Sequence, residues 1–151
     1  MKRPRSYRGL VALHLQASEK RFARKLRVCC DTPAVDTREA AERWRDVWAR
    51  GWRAQETDEI LALYAPGATL QSHPFRDVQA PRDYIDPTFG EEVSAECEFR
   101  EPIVDGDRAA VEWWAETKLK DGGTEKLAGV SLLRFDADGL VVEQRDFWAM
   151  G

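Results

Sequence analysis

The residues of this 151-residue chain that could do chemistry are one histidine, a few carboxylates and a set of tryptophans. His73 is one of two histidines, and an imidazole titrates near neutrality, as a general acid or base must. Asp146, Glu112 and Glu116 fall at even-numbered positions of the C-terminal half. Carboxylates on one sheet face can take separated pKa values, or orient an imidazole across a pocket. Trp114 and Trp148 share that parity and would form an aromatic wall for an apolar ligand. The sequence has no glycine-rich phosphate loop, no Cys/His metal spacing and no Ser-His-Asp arrangement. The expected site therefore uses no cofactor and no metal.

These residues need elements to hold them. Asp36 with Glu39 three residues on reads as a capping box, and Ala40, Ala41, Trp44, Val47, Trp48 and Trp52 follow at helical spacing, which predicts a helix over 37–54. Trp44, Trp48 and Trp52 lie on its buried stripe, and the helix can bring Trp48 over a pocket. Thr57 opens a second short helix through Tyr64, stopped by Pro66-Gly67. Residues 68–72 read as a strand, and Pro81 opens a third helix that Pro87 closes. Tyr84 and Phe89 would sit near a pocket mouth. From Glu91 the period becomes two, and Asp/Gly-rich turns divide strands at 92–104, 108–120, 125–135 and 140–149. The fold class is α+β: three N-terminal helices on the concave face of a curved, mainly antiparallel sheet.

The turns set an expected register. Pairing Lys120 with Glu125 puts Trp114 opposite Ser131 and Glu116 opposite Gly129; pairing Phe135 with Leu140 puts Ser131 opposite Gln144 and Gly129 opposite Asp146. One face then carries Glu112, Trp114, Glu116, Gly129, Ser131, Gln144, Asp146 and Trp148. The other carries Val111, Trp113, Val130, Leu132 and Phe147, an apolar patch suited to a homodimer. A further pairing of Val104 with Arg108 places Arg100 opposite Glu112, an alternative ion-pair reading of that carboxylate.

Composition narrows the classes. With 43% hydrophobic and 33% charged residues the chain is globular, and no stretch is long and apolar enough to cross a membrane. Residues 1–35 carry nine basic side chains against Glu19 and Asp31, a net +7, and the remainder carries −11. An acidic body argues against a nucleic-acid partner. The arm 1–35 reads as a flexible or loosely docked extension, with a targeting peptide or an anionic-surface arm as alternatives. The domain proper is 36–151. Three cysteines form no disulfide framework, which points to a reducing, cytoplasmic setting.

The run Ile60 to Thr69, then His73-Pro74-Phe75, then Leu133 to Val141 ending in Asp146-Phe147-Trp148 resembles the nuclear transport factor two-like superfamily and, within it, the SnoaL-like group. The resemblance covers roughly 37–149. It implies a conical pocket walled by the even-numbered face. In the ketosteroid isomerases of that superfamily an acidic base precedes a Pro-Phe pair; His73 stands there in this chain, or Ser72 by an ungapped match from Tyr64. The isomerase's neutral acid falls at Ser131 and its helix tyrosine near Trp48, so steroid isomerisation is disfavoured. Trp148 matches a pocket tryptophan.

Two function classes follow. One is a cofactor-free acid/base enzyme (isomerase, hydratase or dehydratase, cyclase, or epoxide hydrolase) on an apolar small molecule, with His73 and Asp146 catalytic and Trp48, Tyr84, Glu112, Trp114, Gly129, Ser131, Gln144 and Trp148 lining the pocket. The other is a non-catalytic ligand-binding or docking dimer built on the same cavity.

Overall fold

The structure, a computed structural model, describes residues 35–151; the basic arm, apart from Val35, lies outside the described residues. The first helix, α1 (Thr37–Ala54), starts where its cap predicts: the Asp36 carboxylate accepts from the Arg38 backbone N–H at 3.0 Å. It ends at Gln55, whose left-handed conformation (φ 58°) returns its backbone N–H to the last-turn carbonyls. Trp44, Trp48 and Trp52, four residues apart, stack down the buried face with ring centroids 5.7 and 6.2 Å apart. Next comes α2 (Thr57–Leu61), close enough that a Cβ on Gly51 would lie 2.7 Å from Ile60.

Two expected boundaries move. The second helix stops at Leu61 because Tyr64 is taken by β1 (Tyr64–Gln71), which pairs in parallel with the last strand. Pro66-Gly67 sits inside that edge strand, where the register is irregular and Gly67 takes φ +76°. The third helix, α3 (Pro81–Glu91), runs through Pro87 instead of ending there. An interior proline costs about 3 kcal/mol, offset by the buried Ile85 and Phe89 on either side of it. The Thr88 hydroxyl donates to the Tyr84 carbonyl at 2.8 Å.

The remaining strands are β2 (Glu92–Phe99), β3 (Ile103–Asp105), β4 (Arg108–Leu119), β5 (Thr124–Phe135) and β6 (Val141–Met150). The sheet runs β1-β6-β5-β4-β2 with β3 also on β4, and all pairs but β1·β6 are antiparallel. It is curved and unclosed, with the three helices against one face. The core holds the α1 tryptophans, Ile60, Leu63, Ile85, Phe89, Val111, Trp113, Leu133 and Val141.

The expected registers are corrected. Between β4 and β5, Ser131 pairs with Val111 and Gly129 with Trp113, three residues from the expected partners. The turn is tighter than its polar residues imply: Leu119 N–H bonds to the Gly123 carbonyl at 2.9 Å, and Gly122 supplies φ +90°. Lys120 N–H goes to the Glu91 carbonyl instead. An odd shift turns β4 over. Val111 and Trp113 are therefore buried under the helices, while Glu112, Trp114 and Glu116 face outward. Between β5 and β6, Ser131 pairs with Asp146 and Gly129 with Trp148, a shift of two that keeps the expected face.

Candidate functional site

A cavity of about 260 Å³ lies between the helices and the concave face. Trp44, Trp48 and Trp52 of α1 roof it, with Tyr84, Thr88 and Phe89 of α3 at its side. Trp113, Gln144, Asp146 and Trp148 come from the sheet, and Arg76, Ile85, Glu91, Glu92, Phe99, Glu125, Leu127 and Met150 complete the lining. These sheet residues share a face because β4, β5 and β6 present Trp113, Gly129 and Trp148 across one row and Val111, Ser131 and Asp146 across the next.

Asp146 is the chemically distinctive group. It is 93% buried (7% exposed), and burial pushes its pKa up to about 7 against hydrogen bonds from Ser131 and Gln144 that pull it down. The Gln144 side-chain amide donates to both carboxyl oxygens at 3.1 Å. Gln144 in turn accepts from the Tyr64 hydroxyl, and Tyr64 accepts from Trp48 Nε1 at 3.2 Å. On the other side Trp113 Nε1 donates to Ser131 Oγ at 3.1 Å. Burial raises the Tyr64 and Tyr84 phenols, Tyr84 to about 12, with the Asp146 charge adding to both. A second carboxyl, Glu92, is buried at the α3–β2 junction. Its Oε2 accepts from Trp52 Nε1 at 2.9 Å and Gln55 Nε2 at 3.1 Å, and burial raises its pKa.

Of the residues expected in the pocket, Trp48, Tyr84, Gln144, Asp146 and Trp148 line the cavity, and Ser131 is the cross-strand partner of Asp146. Glu112 and Trp114 do not: they lie on the outer face, Trp114 43% exposed, because β4 is turned over. Arg100 is opposite Glu112 as expected, its N–H bonding the Glu112 carbonyl at 2.8 Å. Its guanidinium, however, pairs with Glu98 at 2.9 Å and lies over the Trp114 ring at 5.2 Å. Val111 and Trp113 leave the expected dimer patch for the core. Gly129 opens no space for a ligand. A Cβ there would sit 2.6 Å from the Phe147 carbonyl oxygen, 2.7 Å from Trp148 Cβ and 2.8 Å from Trp113 Cζ2.

His73 packs edge-on against Trp148, centroids 5.1 Å apart, and its Nδ1 accepts from the Phe75 N–H at 3.4 Å. The Trp148 indole, held by its own bond to the Ser72 carbonyl at 2.6 Å, presents its ring to the cavity. The carboxyl partners of Asp146 are Ser131 and Gln144, not His73. Sequence reasoning missed Tyr64, Glu92 and Trp113. Only the V-W-A against E-W-E alternation in β4 could have signalled the last. Among the described residues no three His, Cys, Asp or Glu side chains gather to hold a metal ion, and no helix is long and apolar enough to cross a membrane.

Residues 41–144 match the family described as SnoaL-like domain. The cyclase AurE of Calcarisporium arbuscula is 29% identical over 104 residues, 62% of this chain and 75% of that protein. Among solved structures, SalBIII, an epoxide hydrolase/cyclase-like enzyme in pyran ring formation of the polyether salinomycin, superposes with a TM-score of 0.63 at 20% identity, covering 75% of this chain and 90% of its own. An NTF2-like protein of Exiguobacterium sp. 255-15 superposes with a TM-score of 0.62 at 17% identity, covering 73% and 98%. At such identities these structures speak for the fold.

Proposed function

The chain belongs to the SnoaL-like domain family, and from that premise we propose that it is a cofactor-free acid/base enzyme of the cyclase or epoxide-hydrolase kind, acting on an apolar small molecule in a cytoplasmic setting. The observation that carries this reading is Asp146: a buried carboxyl on the sheet side of an indole-walled cavity, with burial pushing its pKa up to about 7. Such a group is a neutral acid on one side of neutrality and a base on the other, the poise proton transfer requires. Below that pH it gives its proton to a carbonyl, ether or epoxide oxygen of the bound substrate. The resulting carboxylate takes a proton back from the hydroxyl or C–H that the reaction acidifies. The similarity to AurE and SalBIII supports ring-forming or ring-opening chemistry.

His73 enters only through Trp148, whose ring it backs. Turnover of apolar epoxides and aromatic ketones should therefore disappear in Asp146→Asn and fall less than tenfold in His73→Ala. Full turnover in Asp146→Asn would overturn the assignment. Quenching of tryptophan fluorescence by these probes with no turnover in any variant would leave the pocket a ligand carrier.

We further propose a homodimer through the outer face of the sheet. Val130, Leu132 and Phe147 lie there as expected, with Trp114 in place of Val111 and Trp113. Leu132 is 39% exposed, an apolar surface that a second copy would cover.

A further inference from the structure

The hydrogen bonds around Asp146 have their directions fixed from the far ends. An indole N–H can only donate. Trp48 Nε1 points at the Tyr64 oxygen, 3.2 Å away, so that oxygen accepts and the phenol hydrogen passes on to the Gln144 carbonyl. With its carbonyl so engaged, the Gln144 amide turns its NH₂ to both oxygens of Asp146. The reversed amide would leave the buried phenol hydrogen without an acceptor and set a carbonyl against the carboxylate, an arrangement that costs a full desolvated hydrogen bond. The second chain has the same logic. Trp113 Nε1 donates to Ser131 Oγ, so the Ser131 hydrogen is free for Asp146.

From this geometry we infer that Tyr64 is a positioning residue for Asp146: it holds Gln144 in the one orientation in which the amide meets the carboxyl as a donor, so that the proton Asp146 binds finds no acceptor on Gln144 and is available to the cavity. The ligand must then bring a hydrogen-bond acceptor, a carbonyl, ether or epoxide oxygen, to that end of the pocket. This rests on the acid/base reading given above and narrows its substrate class. The other titratable and charged groups lining the cavity with Asp146 are Tyr84 from α3, Arg76 from the segment before it, Glu91 and Glu92 at the α3–β2 junction, and Glu125 from β5, while α1 contributes only indoles. Replacing Tyr64 leaves all of these in place.

The test is a ¹³C NMR titration of the Asp146 carboxyl carbon in the ligand-free protein. In Tyr64→Phe the Gln144 amide is free to turn its carbonyl to the carboxyl and accept its proton, which favours the neutral acid. The midpoint should rise by roughly one pH unit, the size of one charge-assisted hydrogen bond. Gln144→Leu should raise it as well, and Tyr64→Phe added to Gln144→Leu should raise it no further, because both act through one amide. Should Tyr64→Phe fail to fold, Tyr64→Leu removes the same hydroxyl donor and is read in the same way. An unmoved midpoint in folded Tyr64→Phe overturns the inference, as does an equal shift from Tyr64→Phe with and without Gln144. The titration needs no substrate, so its failure is distinct from absence of turnover, which would count against the enzyme reading instead.

Discussion

Asp146→Asn should make the protein more stable at pH 8 and leave it little changed near pH 4.5. In the folded chain burial pushes the Asp146 pKa up to about 7, whereas in the unfolded chain an aspartate titrates at about 3.9. Between those values the native state binds a proton that the unfolded state has lost. Wild-type stability therefore falls with rising pH by about 1.4 kcal/mol per unit from this group. The contribution is complete below the unfolded pKa and lost as pH passes through the folded one. Over the whole window it amounts to roughly 4 kcal/mol. The asparagine keeps an acceptor for Gln144 and Ser131 but turns an NH₂ toward the Gln144 amide, an opposition costing about 1 kcal/mol. Urea denaturation of both proteins from pH 4 to 8.5 should give a stability difference that climbs in favour of the variant up to pH 7 and then levels. All other titrating groups are shared and cancel. A difference independent of pH across that range would refute the burial argument, and with it the acid/base poise of the site.

Gly129→Ala should cost about 2 kcal/mol or more, because its Cβ meets a backbone carbonyl oxygen, the Trp148 Cβ and the Trp113 indole below 3 Å; in the same denaturation assay Gly90→Ala, with nothing within 4 Å of its Cβ on α3, should be neutral or stabilising. Leu132→Glu on the outer face should shift sedimentation toward a monomer without lowering the unfolding midpoint, and an unchanged sedimentation coefficient would remove that face from the proposed interface.

What the sequence made legible follows from which interactions are local. The first helix came with its own cap and a four-residue tryptophan spacing, so both its ends and its buried face were readable. The floor of the site was readable for β5 and β6 because their register error was even, leaving Ser131, Gln144, Asp146 and Trp148 on one side. The β4 error was odd, and one tight turn at Gly122 exchanged Trp113 for Trp114. Tyr64 was out of reach for another reason. Beside Ile60 and Leu63 it fits a helical stripe, and only the parallel pairing with Val141, far along the chain, draws it into a strand. Glu92 likewise finds its donors on α1 and its cap, Trp52 and Gln55, which no local pattern announces.

The unclosed sheet has two rims, and each is blunted. On β1 the rim is interrupted by Pro66, which lacks an N–H, and by the turn of Gly67 into positive φ. On β2 it begins with an irregular step after Glu92 and then carries the exposed carboxylates of Glu96 and Glu98. Neither rim offers the long, flat row of free amides on which another chain can grow a strand. Among the described residues, the sheet can thus stay unclosed without presenting an edge suited to strand addition by a second copy or an extended peptide.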